Sequence, residues 1–308
     1  MFLRSILLGI LLGLPVRILA DTHTDTASRF PAQYILDSIQ GKVQVRSKGV
    51  TVLEDAKEDQ VVLEGDTILT GPDSKVSLVL NTMTMTQIGE KSQVTVGKLV
   101  KKGTSGFLSR LKLSFGKILS QVEKLATSHS SFEIEAGGVV CGVRGTAFEV
   151  SVEGSQVTDS TFEGSVEMKN GPQSRMVDAD HHSEFDGDRK EFLRQRLVTD
   201  RERERYQNWK RFRDLAVRRQ KEREQALRSF ESLDKPERDQ LWEGLDQVRA
   251  RDRFMILRRI MREGNLRDRR RILDESVHSR VDAVGNRERL REKAAEERER
   301  NLRKLKKD

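Results

Sequence analysis

The chain of 308 residues carries 57 Lys and Arg against 49 Asp and Glu, a net charge of +8, with 34% of residues charged and 5% aromatic. Its one cysteine, Cys141, excludes an intrachain disulfide framework and a zinc site built from several cysteines, and five histidines leave little material for a metalloenzyme. A charged fraction above the roughly 25% of ordinary domains is hard to distribute over one surface, so the average predicts two unlike halves.

The first 20 residues read as a signal peptide. Arg4 supplies a positive start, Ser5 to Leu14 are apolar, Pro15 stops the helix, and Ala20 is small enough to precede a cleavage site. The apolar run is too short for the ~20 residues of a bilayer span. Export is the expected route; an uncleaved anchor is the alternative that Arg17, near the cut, keeps open. No other stretch reaches the length of a span, so no transmembrane segment is expected after cleavage.

Residues 21–36 read as a linker and 37–188 as a mainly β domain of short strands, with a short-strand roll, solenoid or sandwich as the fold. Expected strands include Lys42–Arg46, Val50–Glu54, Thr67–Thr70, Lys75–Leu80, Met83–Ile88 and Gln93–Val96. A surface loop is expected over Gly97–Gly106, with an amphipathic stretch at Phe107–Leu113. Further strands are expected at Gly116–Val122, Ser131–Glu135, Ala147–Val152, Val157–Phe162, Ser165–Lys169 and Ser174–Asp178. Val76, Leu78 and Leu80 alternate with Lys75, Ser77 and Val79, the period of two that buries one face.

The charge changes sign at Asp188. Residues 1–188 hold 19 basic and 24 acidic residues, −5, whereas residues 189–308 hold 38 and 25, +13. From Arg189 helix formers dominate, so 189–285 is expected to be a charged helical region and 286–308 a charged tail, helical or disordered. Tyr206, Trp209, Phe212, Leu215 and Ala216 recur at spacings of three and four and predict one apolar stripe, resumed at Ala226, Leu227 and Phe230 after the wholly polar stretch Arg218–Gln225. Ser232 or Asp234 caps a second helix, with Pro236 near its start, carrying Leu241, Trp242, Leu245 and Val248 and then Phe254 to Met261 up to Gly264-Asn265. A third runs from Leu266 towards Gly285.

Candidate sites are few. Asp178 to Asp188 gathers acids with His181 and His182, but the spacing fits no EF-hand loop, and adjacent histidines on a strand face opposite ways. A hairpin with an Asp-Gly turn is the simpler reading, and no metal is expected. Cys141, within Val139 to Val143, reads as a buried thiol with no base beside it. No catalytic or cofactor-binding set emerges, and the chain is expected not to be an enzyme.

The sharpest motifs lie in the β domain. Gly65-Asp66-Thr67-Ile68-Leu69-Thr70-Gly71, Ser74 to Leu80 and Gln87-Ile88-Gly89-Glu90-Lys91-Ser92 are followed by Leu113 to Ile118, Val143-Arg144-Gly145-Thr146-Ala147-Phe148-Glu149-Val150 and Phe162-Glu163-Gly164-Ser165-Val166. In order and spacing they resemble a FecR-type domain over roughly residues 37–190. Glu58-Asp59 stands where a glycine is common, and Asn81-Thr82 replaces the usual Asp-Gly turn; both are turn substitutions. The resemblance implies a non-catalytic β-rich domain of the cell envelope. The founding regulator of that family also has a cytoplasmic segment and a membrane helix, which are not expected here. Gly65, Asp66, Gly71, Gly89, Arg144, Gly145, Thr146, Phe148 and Gly164 are therefore read as structural positions, with Arg144 expected to pair with Asp66.

Two functions follow as expectations. The first is an exported binding module whose basic helices contact an envelope protein or an anionic lipid or polymer. The second is a periplasmic signalling or regulatory component that relays a signal to a membrane partner. Export sets nucleic acid out of reach, and no aromatic array is interleaved with the arginines to stack bases.

Overall fold

The computed structural model describes residues 33–278 apart from 82–83, 103–105, 123–130, 144, 249, 264 and 266. The expected signal peptide, Arg144 and the tail at 286–308 lie outside the described residues.

Strand β9, Gly106–Val122, is shared by two sheets. Its first half pairs with β8 (Gln93–Lys102) and runs parallel to β10 (Ser131–Ala136). Its second half, from Gly116, lies between β7 (Thr84–Ile88) and β12 (Thr146–Glu153). Gly116 makes the passage possible. Its φ is +89°, and a Cβ there would lie 2.1 Å from Ser92 Oγ, the atom that accepts the Lys117 amide at 3.0 Å.

The first sheet has the order β3 (Leu53–Asp55), β2 (Val43–Arg46), β5 (Thr67–Thr70), β8, β9, β10, β11 (Val139–Val143), β14 (Ser165–Asn170) and β15 (Gln173–Asp178). The second has β4 (Val61–Val62), β1 (Tyr34–Gln40), β6 (Lys75–Asn81), β7, β9, β12, β13 (Gln156–Glu163) and β16 (His181–Asp186). Two short strands, β17 (Glu191–Phe192) and β18 (Arg196–Leu197), share its far edge.

Tyr34, Leu36, Leu78, Ile118, Phe148, Val150 and Phe185 of the second sheet form one core with Val45, Ile68, Leu111, Phe132, Ile134 and Cys141 of the first. Strands of the first sheet alternate buried and open residues, as in β10 and β11. In the second sheet β12 and β13 are buried on both faces, because helices cover the side turned away from the core. Over β12 and β13 the covering helix is α1 (Asp200–Glu231), while α2 (Lys235–Asp246) and the helical residues 267–278 pack on each other and α3 (Ala250–Met261) reaches β4.

The architecture is thus mainly β in front and helical behind, and several boundaries move. The expected linker at 21–36 contains the start of β1, whose Tyr34 and Leu36 are fully buried. Of the expected loop at Gly97–Gly106, the described residues 97–102 and 106 are instead a strand-pair extension: Lys102 pairs with Gly106 after a register shift between Val96 and Leu99. Lysines and glycine give that stretch the composition of a loop, yet it lies on a ladder. The region expected to be helical from Arg189 first forms β17 and β18. The expected second helix divides in two, with Gln247 as the C-cap of α2 before α3 starts at Ala250.

Candidate functional site

The helix-covered face of the second sheet is where charge, burial and topology meet. Helix α1 starts with a reciprocal capping box: Thr199 Oγ1 accepts the Glu202 amide, and Glu202 Oε2 accepts the Thr199 amide at 2.7 Å. The sequence signature is Thr-x-x-Glu, and it marks a start ten residues later than the composition change at Arg189. From there α1 crosses the strands. Tyr206 stacks on Phe162 with ring centroids 4.6 Å apart, and Trp209 and Ala216 pack with Val79, Met85, Leu119 and Ala147. Phe212 and Leu215, expected in the apolar stripe, are 40% and 52% exposed.

The stripe that α1 buries continues through polar residues. Gln220 and Arg223 lie on its inner face, and Arg223 is fully buried in the stretch that reads as a solvated surface. Beneath it are Asp37 of β1 and Asp59 before β4. Arg223 Nε donates to Asp59 Oδ1 at 2.8 Å, and its Nη2 donates to Asp37 Oδ2. Arg219 Nη2 reaches Asp37 Oδ1 at 2.6 Å. From α3, Arg258 donates to Asp59 Oδ2 and, at 2.7 Å, to Glu222 Oε2. Two carboxylates thus hold three guanidinium groups from two helices, and the planar forks of arginine suit this shared geometry.

The backbone is shaped to present those acids. Ser38 and Asp59 both have positive φ, +56° and +62°, and Glu58 accepts the amides of Ser38 and Ile39 at 3.1 and 2.7 Å. The left-handed turn at Asp59 explains why glycine suits this position. Aspartate tolerates it as well and adds a carboxylate. The substitution that reads as a neutral turn change therefore ties the β domain to the helices.

Further along α1 the same complementarity repeats. Arg205 pairs with Glu149 at 2.7 Å, Lys210 with Glu163 at 3.1 Å, and Arg203 with Asp180. Tyr206 donates to Glu163 Oε1 at 2.7 Å. Arg203, Arg205, Lys210, Arg219, Arg223 and Arg258 of the helices are thus paired with acids of the β half.

At the α1 N-terminus, Ser160 Oγ and Glu202 Oε1 lie 2.8 and 3.4 Å from His182 Nδ1. A serine–histidine–acid relay needs hydroxyl and carboxylate on opposite ring nitrogens. Here both face Nδ1, all three residues are buried, and Arg196 clasps Glu202 at 2.8 and 2.9 Å. The trio joins helix to sheet and has no geometry for proton relay. Arg196, through its hydrogen bonds, holds the Glu202 carboxyl well below the usual range. Burial, aided by the Arg196 charge, holds His182 below its ordinary value and so neutral.

Within the core, Asp159 Oδ2 accepts from Thr161 at 2.7 Å while Oδ1 has no hydrogen-bond partner among the described residues. Burial, reinforced by Glu149, pushes its carboxyl up to about 7. Cys141 is a buried free thiol pushed well above its usual range, by burial first and then by Asp159. In the segment Asp178 to Asp188, His182 turns to the helix while His181 Nδ1 meets the Ala179 carbonyl oxygen at 3.0 Å. No group of potential metal ligands occurs among the described residues.

The motif residues separate into turns. Asp66, 2% exposed, accepts the Lys48 and Leu63 amides at 3.0 and 3.1 Å, close to Gly65. The Gly71 amide bonds the Lys42 carbonyl at 2.9 Å, and the Gly89 amide bonds that of Lys117 at 2.9 Å. Gly145, Thr146 and Gly164 form a second cluster: Thr146 Oγ1 donates to the Ser165 carbonyl at 2.9 Å, and a Cβ on Gly164 (φ +77°) would lie 2.5 Å from the Gly145 oxygen. Phe148 is fully buried, edge-on to Phe132 at 6.5 Å. The expected pairing of Arg144 with Asp66 falls on a residue outside those described. No helix in the described residues is long and apolar enough to cross a membrane.

Comparison with known proteins gives one family. The family model described as FecR protein matches residues 66–167. No curated protein matches the chain. Two solved chains, both candidate anti-sigma factors from Parabacteroides distasonis, are similar at 12% and 13% identity. The first likeness covers 42% of this chain and 59% of that one with a TM-score of 0.36; the second covers 50% and 60% with a TM-score of 0.29. This chain thus spans about three fifths of each, and likenesses so distant carry no argument about partners.

Proposed function

We propose that this chain, which carries a FecR-type domain at residues 66–167, is a regulatory component of the cell envelope that relays a signal to a membrane partner by protein contact. The family match is the observation that carries the reading, and it favours relay over a free-standing binding module. The two sheets joined through β9 act as a sandwich-like scaffold, and the leader at 1–20 delivers the chain to the envelope. The arginine contacts support a further element: α1 and α3 are a fixed part of the recognition surface, since they occupy the outer face of the second sheet.

The test is genetic. In the native host, transcript profiles are compared between the parent, a strain lacking the chain and a strain complemented with it. A defined gene set that changes on loss and reverts on complementation is expected. An unchanged profile under envelope stress and nutrient limitation would overturn the regulatory reading.

A further inference from the structure

A groove of about 210 Å³ runs between α1 and the strip of the second sheet that the helix leaves uncovered. Trp209 and Leu119 line it, both nearly buried, and Phe212 stands beside them 40% exposed. Lys75 holds its Nζ 4.4 Å from the Phe212 ring centroid. Lys117 lines it as well, its stem packed over Gly89, where a Cβ would lie 2.7 Å from Lys117 Cγ; only glycine lets the stem lie so close. Arg205 also lines the groove, but its charge is answered by Glu149 at 2.7 Å. Neither Lys75 nor Lys117 has a carboxylate partner among the described residues, so the groove keeps two positive charges, that of Lys75 over the Phe212 ring.

We propose that this groove docks an acidic segment of a protein partner, seated by one large apolar side chain. The volume is below the ~300–1,000 Å³ of sites that engulf a drug-sized ligand, and it suits a side chain rather than a folded element. Two solvated lysines hold a lone anion weakly, whereas an apolar anchor buried on Trp209 and Phe212 positions a neighbouring Asp or Glu against both. Leu215, 52% exposed and one turn beyond Phe212, extends the apolar rim for the flanking chain. The walls of helix and sheet keep a flat bilayer from reaching the floor. This inference rests on the proposed function, since it says how the relay grips its protein partner.

The test uses the full chain with Trp242→Phe, so that emission reports Trp209. It is titrated with short synthetic peptides carrying a central Leu flanked by Asp and Glu, the same peptide with Ser in place of the acids, and an acidic peptide without Leu. Saturable binding of the first alone is expected, weakened by salt and by about tenfold in Lys75→Glu/Lys117→Glu. Phe212→Ala, at a half-exposed site, is expected to weaken binding without unfolding the chain. Equal binding of the neutral peptide, unchanged binding by both variants, or preference for inorganic phosphate or phosphatidylglycerol vesicles would overturn the proposal. Loss of peptide binding with an intact transcript response would remove the groove and leave the regulatory reading in place.

Discussion

Replacing Arg223 by Met tests whether the helices are locked to the sheet by charge. Methionine keeps much of the length and apolar volume of the side chain while removing the guanidinium. Arg223 is fully buried, as is Asp37, and Asp59 is 9% exposed, so the change leaves each acid short of one guanidinium where water cannot replace it. Breaking a buried pair by deleting one partner costs ~3–5 kcal/mol. Arg219 stays on Asp37 and Arg258 on Asp59, which places the expected loss near the lower figure, ~3 kcal/mol. That is a large part of the ~5–15 kcal/mol that stabilises a domain. Urea unfolding followed by tryptophan emission reads it directly, because Trp209 and Trp242 both lie on the helices. Adding Asp37→Leu to Arg223→Met is expected to cost less than the two single changes summed, since both remove the same Arg223–Asp37 contact. A loss below ~1 kcal/mol, the range of exposed pairs, would refute the reasoning.

Two titrations run in opposite directions. The Asp159 carboxyl, raised by burial to about 7 from 3.8, stabilises the fold below pH 3.8, and that contribution is lost as pH rises through 7. Asp159→Asn is expected to remove this loss and to raise stability at pH 8 by up to ~4 kcal/mol; equal melting of variant and parent at pH 8 would contradict it. His182 is held neutral by burial, so its contribution is complete above pH 6.5 and lost as pH falls below it. His182→Gln is expected to flatten the stability curve below pH 6.5, and an unchanged slope in thermal melts would count against this. Gly164→Ala forces a Cβ against the Gly145 oxygen at positive φ and is expected to cost ~1–3 kcal/mol in chemical denaturation; a neutral result would show that the turn relaxes.

The β strands were legible because alternation and turn residues speak locally: Thr67–Thr70 forms with the expected bounds, and Ser131–Ala136 extends its expected strand by one residue. Strand β1 was not, since Asp37 and Ser38 interrupt its apolar run to present a bulge to the helices. Arg223 was missed for a related reason. A polar stretch on a helix reads as solvated unless the spacing is followed past its chemistry, from Tyr206 and Trp209 through Arg213, Ala216 and Gln220 to Arg223 and Phe230. The acids that make burial acceptable lie 164 and 186 residues away in the chain, beyond any local pattern. The charge split at Asp188 was visible as arithmetic. Its use within the molecule emerged only when the acidic sheet face and the basic helix face met.

The docking of α1 on the FecR-type domain is tested most directly by zero-length carbodiimide coupling of the purified chain at low concentration. Lys210 Nζ lies 3.1 Å from Glu163 Oε1, with both side chains accessible. Mass spectrometry of the monomer fraction should return the peptide pair joining these two residues. Coupling confined to neighbours along α1, with Glu163 unlinked, would contradict the account.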